Sequence, residues 1–238
     1  IEGRRESFGC IDIPFDVLRD FSDCISETSS GYKIKAPQKY IEPDSPRVQG
    51  DWSNAAFFLC AGALGGETEI TGLSLDSRQS DRALTDILKA FGADIKCGSS
   101  VSVCKSELSG ITVDISQCPD LFPTLAVTAC AAHGDTVFTN AARLRIKESD
   151  RIESVEKMIT SLGGFAESTP DSLTVHGTGT LAGGEVNSFN DHRIVMAAAV
   201  AACICESHVI IRDAQAVNKS YPDFFEDYKK LGGKADVI

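Results

Sequence analysis

The chain has 238 residues, 42% hydrophobic and 24% charged, a balance that excludes disordered and collagen-like classes and allows one large or two modest cores. Net charge is −11, from 23 basic against 34 acidic residues, which argues against wholesale binding to nucleic acid or an anionic membrane, so any anion must be held locally. The longest apolar run, residues 194–205, is too short to span a bilayer. Nine cysteines are an odd number with no Cys-x-x-Cys pair, and Cys60, Cys130 and Cys203 sit in apolar runs. They read as reduced, core-filling thiols of a cytoplasmic protein.

In chain order, the charged start Ile1-Glu-Gly-Arg-Arg-Glu carries no apolar segment and reads as native sequence rather than a signal or a tag remnant. Residues 7–21 read as the second half of a repeat unit, with Asp12 lying 69 residues before Asp81. Residues 35–47, with Pro37, Pro43 and Pro46, read as a strand and linker, which places a domain boundary near residues 47–50.

From there one pattern recurs. Asp51, Asp120 and Asp191, spaced 69 and 71 residues apart, each open an Ala-rich helical run. Short β-branched strands follow at residues 67–72, 135–140 and 207–212. A second aspartate, Asp81, Asp150 or Asp223, comes 30, 30 and 32 residues after the first and opens an amphipathic helix closed by Gly92, Gly163 or Gly232. Hairpins are expected at residues 93–104 and 165–176. The fold class is α/β, with three nearly complete units closing around a pseudo-threefold axis rather than forming an open solenoid. That closure brings three helix N-termini, each equivalent to about half a positive charge, to one end.

Charge gathers at those helix entrances. Leu144-Arg-Ile-Lys-Glu-Ser-Asp-Arg-Ile152 packs Lys147, Glu148, Asp150 and Arg151 ahead of a helix, and Asp191 is followed directly by His192 and Arg193. An arginine in a first helical turn opposes the macrodipole by about 0.3–1 kcal/mol, so an anion is expected to compensate it. Lys219 precedes Ser220-Tyr-Pro-Asp as Lys147 precedes Ser149-Asp. Lys147, Arg151, Arg193 and Lys219 are expected to form one exposed positive patch, with Asp120 and Glu148 beside it for proton transfer to and from a polyanionic substrate. Gly177-Thr-Gly-Thr-Leu-Ala-Gly183 lacks phosphate-loop spacing and reads as loop, and His133, His176 and His208 read as structural imidazoles. No metal-ligand spacing and no G-x-S-x-G elbow is found, so no cofactor or metal is expected.

Together Gly50-Asp-Trp-Ser-Asn, Leu144–Ile152, Asn190-Asp-His-Arg and Lys219-Ser-Tyr-Pro-Asp-Phe-Phe resemble 5-enolpyruvylshikimate-3-phosphate synthase, an enolpyruvyl transferase family of aromatic amino-acid biosynthesis. The resemblance runs from about Ser7 to the end and covers only the latter half of that family's chain. It implies an inside-out α/β barrel of pseudo-threefold repeats, residues 48–238 being most of one domain and residues 1–47 a remnant of the other, with substrates in the cleft between them. It further implies Asp120 as the catalytic acceptor of a hydroxyl proton and Glu148 as the proton donor to the pyruvyl carbon. Arg151 and Arg193 match the clamp on the phosphoenolpyruvate carboxylate and Lys219 a ligand of its phosphate. Lys147 and Ser7 match contacts to shikimate 3-phosphate, and His192 lies beside the site. Cys10 and Arg143 depart from the Tyr and Asn of some members. The partners implied are the two small-molecule substrates and a missing N-terminal portion of the same enzyme, without which the chain is expected to be inactive. Competing readings are a UDP-N-acetylglucosamine enolpyruvyl transferase and a non-catalytic anion-binding module.

Overall fold

The computed structural model describes residues 9–28 and 31–238. Three helices without a polar face, α2 (Trp52–Gly65), α4 (Phe122–Cys130) and α6 (His192–Ala201), pack against one another at its centre. Every residue of α4 and α6 is buried, which a helix tolerates only when neighbours cover its whole circumference. Small residues such as Ala126, Ala129, Ala197 and Ala198, all fully buried, allow the close packing.

Each central helix leads into a strand: β3 (Glu67–Thr71), β7 (Gly134–Thr139) and β11 (Val209–Arg212). Hairpins β4 (Asp94–Cys97)/β5 (Ser100–Cys104) and β8 (Phe165–Thr169)/β9 (Ser172–Gly177) form where the turn clusters predict them. β5 pairs antiparallel with β3, and β9 pairs antiparallel with β7. On its other edge β7 takes β6 (Thr112–Asp114) in parallel, as β11 takes β10 (Gly184–Asn187). Burial alternates along the strands, so one face of each sheet lies on the helices and the other faces solvent. Helices inside and sheets outside make the inside-out α/β barrel of repeats that the sequence leads one to expect.

The second helices, α3 (Leu84–Phe91), α5 (Arg151–Ser161) and α7 (Phe224–Lys230), close each repeat in the same way. Gly92, Gly163 and Gly232 follow them with φ of 96°, 84° and 97°, a left-handed turn that a side chain would strain.

Several expectations need correction. Asp81 and Asp120 do not open their helices but sit in 3₁₀ turns, Ser80–Ala83 and Pro119–Leu121, ahead of α3 and α4. Neither side chain caps its own backbone, because each carboxylate is taken by other side chains. Asp12 lies within the first turn of α1 (Gly9–Phe21), not before it. The strand expected in residues 35–47 is absent, and the hairpin there is earlier, between β1 (Ile25–Thr28) and β2 (Gly31–Ile34). Cys203 is exposed beyond the end of α6 rather than core, and His208 precedes β11 rather than lying in it. Among the described residues no helix is long and apolar enough to cross a membrane.

Because α4 is enclosed on all sides, truncating a large side chain there leaves a void that the neighbours cannot fill. Leu125→Ala should lower the unfolding free energy by about 2–5 kcal/mol in urea titrations.

Candidate functional site

The starts of α2, α4 and α6 converge at one end of the barrel, as the equal spacing predicts. At α6 the N-cap Asp191 is fully buried. Its Oδ1 accepts the Arg193 backbone N–H at 2.9 Å, and its Oδ2 accepts Arg151 Nε at 2.8 Å and Ser149 Oγ at 3.1 Å. At α2, Asp51 Oδ1 accepts the N–H groups of Ser53 at 2.8 Å and Asn54 at 3.2 Å. Gln79 holds that entrance from outside, accepting Trp52 N–H and donating to the Gly50 carbonyl, both at 2.9 Å.

Arg151 joins the start of α6 to the turn before α4. It is fully buried and sends its three nitrogens to three carboxylates: Nε to Asp191, Nη1 to Asp120 at 2.6 Å, and Nη2 to Glu148. Asp120 also receives Arg193 Nη2 at 3.2 Å and Lys147 Nζ at 3.4 Å, while Arg193 Nη1 donates to the Asp120 carbonyl at 3.2 Å. Three cations therefore face three carboxylates. The expected exposed positive patch is absent, because Arg151 and Arg193 are buried and each of Lys147, Arg151 and Arg193 is paired. The anion that the sequence demands near Arg193 is Asp120. Lys219, at the end of a 3₁₀ turn (Ala214–Lys219), reaches the same helix entrance and donates to the Asn190 carbonyl at 2.5 Å.

The Lys147–Glu148 segment is held in place by Arg145, which sequence reasoning passed over. Its Nε donates to the Pro170 carbonyl at 3.0 Å in the β8–β9 turn, and its Nη1 to Asp150 Oδ2 at 2.8 Å. Asp150 in turn caps α5, accepting Glu153 N–H at 3.1 Å. Ser7 and the side chain of Cys10 lie outside the described residues.

Charge balance sets the protonation states. Burial pushes the Asp120 carboxyl up, but Arg193, Lys147 and Arg151 together pull it down to about 2. An exchange of protons through Asp120 at neutral pH, expected from the sequence, does not fit this resting arrangement. Burial also opposes ionisation of Asp191, and the hydrogen bond and charge of Arg151 overcome it. Burial and the neighbouring Arg193 hold His192 below its usual range, so its imidazole is neutral at pH 7, with a buried Nδ1 that has no hydrogen-bond partner.

One further carboxylate went unnoticed as a site residue. Asp81 is 6% exposed and accepts a hydrogen bond from Ser53 Oγ. Burial, with Asp120 and Asp51 adding to it against Ser53 and Arg193, raises it to about 6. The signal lay in the repeat, since Gln79-Ser-Asp-Arg parallels Glu148-Ser-Asp-Arg. Among the described residues no group of three His, Cys, Asp or Glu side chains is placed to hold a metal.

The sign of each pH effect follows. Asp120, with a folded value of about 2 against an ordinary 3.8, contributes stability above about pH 4 that is lost as pH falls towards 2. Asp81 does the reverse, favouring the fold below 3.8 and losing that contribution as pH rises to about 6. Asp81→Asn should therefore raise stability at pH 7–8 by about 1–3 kcal/mol, with the gain vanishing near pH 4, in denaturation measured across that range. Arg151→Met, which leaves the buried Asp191 carboxylate without its cation, should cost about 3–5 kcal/mol at pH 7 in the same assay.

The family model for EPSP synthase (3-phosphoshikimate 1-carboxyvinyltransferase) matches residues 9–228. The 3-phosphoshikimate 1-carboxyvinyltransferase of Clostridium novyi (strain NT) is 45% identical over 235 residues, covering 97% of this chain and 53% of the relative. That of Clostridioides difficile (strain 630) is 40% identical over 234 residues, covering 97% and 53%. EPSP synthase from Acinetobacter baumannii superposes with a TM-score of 0.85 at 26% identity, over 98% of this chain and 56% of that one. The enolpyruvyl transferase NikO from Streptomyces tendae shares the fold, with a TM-score of 0.76 at 20% identity over 94% of this chain and 53% of its own. The chain thus spans about half the length of the relatives it matches.

Proposed function

The chain belongs to the EPSP synthase (3-phosphoshikimate 1-carboxyvinyltransferase) family, and from that premise we propose that the charge cluster is one side of an active site for enolpyruvyl transfer. The reaction joins the 5-hydroxyl oxygen of shikimate 3-phosphate to C2 of phosphoenolpyruvate while C3 gains a proton. Phosphate then leaves C2 and C3 gives up a proton, restoring the double bond. The observation that carries this reading is the meeting of Arg151 and Arg193 on Asp120, with Glu148 on the same guanidinium.

In the proposed roles, Arg151 and Arg193 hold the phosphoenolpyruvate carboxylate, a planar task that suits guanidinium better than ammonium. Lys219 binds the phosphate of phosphoenolpyruvate, and Lys147 and Ser7 contact shikimate 3-phosphate. Glu148, the most exposed carboxylate of the cluster, delivers the proton to C3. His192 stays neutral beside the pair, with its buried Nδ1 3.9 Å from Asp191 Oδ1. Asp120 takes the hydroxyl proton, and its resting state near 2 supplies a sequence of events. Substrate anions first draw Arg193 and Lys147 away, and losing those cations raises the proton affinity of Asp120. Binding thereby prepares the base.

The domain reading belongs to the same proposal: residues 48–238 form one domain and residues 1–47 part of a second, with a complementary portion of the enzyme closing the cleft. β3 supports it. β7 and β11 each have a parallel partner, β6 and β10, whereas among the described residues β3 pairs with β5 alone. A groove of about 510 Å³, lined by Ile70, Leu73, Phe58, Tyr221 and Leu231, runs beside it and suits an added strand. Eight free cysteines among the described residues suit a reducing cytoplasm.

The test is phosphate release from phosphoenolpyruvate in the presence of shikimate 3-phosphate. The 238-residue chain alone should show none, and supplying the N-terminal portion of a longer relative in cis or in trans should restore it. Turnover by the chain alone would contradict the domain reading. A restored, two-substrate-binding protein without turnover would favour the non-catalytic anion-binding module. In the active protein, Glu148→Gln should lower kcat by about 10²-fold or more with little change in substrate binding.

A further inference from the structure

Ser188 is a fully buried hydroxyl at a place where the preceding repeat carries the equally buried Ile115. The sheets set the equivalence. Ser188 N–H donates to the Arg212 carbonyl at 3.3 Å where β10 ends beside β11, and Ile115 N–H donates to the Thr139 carbonyl at 3.1 Å where β6 ends beside β7. In both repeats the last strand residue turns the chain with its own side chain, Asn187 accepting Phe189 N–H at 2.7 Å and Asp114 accepting Ser116 N–H at 2.9 Å. Burying a hydroxyl where an aliphatic side chain suffices is unfavourable unless its hydrogen bonds hold something in place. Ser188 Oγ donates to the Asp213 carbonyl and accepts Asn190 N–H, both at 3.2 Å, and the Ser188 carbonyl accepts Asp191 N–H at 2.9 Å. Between these bonds Phe189 and Asn190 take left-handed φ of 52° and 57°, which is costly for an aromatic residue. With the N–H of the planar Asn190–Asp191 peptide fixed on Ser188, its carbonyl points the opposite way, where it accepts Lys219 Nζ at 2.5 Å.

That bond decides where an exposed and otherwise freely rotating side chain rests. Lys147, which follows the matching 3₁₀ turn (Ala142–Ile146) of the second repeat, is held by charge, on Asp120. Lys219 forms no ion pair among the described residues and is held by a main-chain carbonyl instead. The same Ser188 hydroxyl also grips Asp213, the residue that opens the 3₁₀ turn ending at Lys219. We propose that Ser188 is a positioning residue that holds Lys219 at the entrance of α6, through the Asn190 carbonyl on one side and Asp213 on the other, without touching the ligand. This role rests on the reading above in which Lys219 binds the phosphate of phosphoenolpyruvate. A carbonyl dipole orients an ammonium without neutralising it. Lys219 is therefore kept in place with its charge available to an anion, whereas Lys147 must first leave a carboxylate.

The probe is sulfate, added to the full chain and read by calorimetry, with Ser188→Ala, Lys219→Met and the double variant compared. Ser188→Ala should weaken sulfate binding roughly twofold to tenfold, the cost of ordering one long side chain that is no longer held. In the Lys219→Met background the same substitution should change affinity by less than about twofold, because a residue that acts through Lys219 has nothing left to act on. Ser188→Cys, which keeps nearly the same volume but hydrogen-bonds weakly, should behave as Ser188→Ala and guards against a loss caused by the cavity alone. A second readout needs no ligand. In the chain with ¹⁵N-labelled lysines, Ser188→Ala should shift the Lys219 ammonium resonance and leave that of Lys147, anchored on Asp120, where it was. An equal loss of sulfate affinity with and without Lys219, or a Lys219 resonance that does not move, would overturn the role of Ser188 and leave the anion site standing. Lys219→Met with undiminished sulfate affinity would instead overturn the placement of Lys219 in that site, and this role with it.

Discussion

A guanidinium with no access to water holds the working end of this protein together. Arg151 begins α5, yet its three nitrogens reach the cap of α6, the turn before α4 and a glutamate three residues back along its own chain. An isolated charge in that position would cost several kcal/mol, so each bond is obligatory rather than optional. Because Asp191 belongs to the third repeat whereas Asp120, Glu148 and Arg151 belong to the second, satisfying Arg151 also fixes how those two repeats meet. The convergence of helix starts and the pairing of charges are one arrangement seen from two directions.

The same arrangement constrains chemistry. A cluster of paired charges has no strong pull on an incoming anion until some internal pair opens, and Asp120 is where opening is easiest. It is about one-third exposed, whereas Asp191 is sealed. Under the proposed function, Asp191 remains the fixed anchor of Arg151 while Asp120 gives up Arg193 and Lys147 to an incoming anion. A sealed carboxylate and a partly open one are thus distinguished by exposure rather than by residue type. Asp81 adds a third environment, buried with a hydroxyl and no dedicated cation.

How much of this could be read beforehand depended on range. Gly92, Gly163 and Gly232, the caps Asp51, Asp150 and Asp191, and both hairpins are local features, and short-range rules place them. The pseudo-threefold arrangement was legible because the spacing repeats. Burial of Arg151 was not, since its partners Asp120 and Asp191 lie 31 and 40 residues away in sequence, and a charge run reads locally as a solvated face. Asp81 and Asp120 were mistaken for helix openers for the same reason: their distant partners outcompete the backbone of their own helix. The second half of residues 25–47 carries prolines that exclude a strand, and the strand signal ended earlier, at Ile34.

The central claim is that the interaction that holds the helix starts together also builds the anion site. It is tested most directly by urea denaturation of the parent chain, Arg151→Met, Asp191→Leu and the double variant, each with and without sulfate. The account predicts that both single variants lose stability heavily and that the double variant recovers much of it, because no lone buried charge remains at that pair. It also predicts that sulfate stabilises the parent but not the double variant. Additive losses, or a double variant still stabilised by sulfate to the parent's extent, would contradict it.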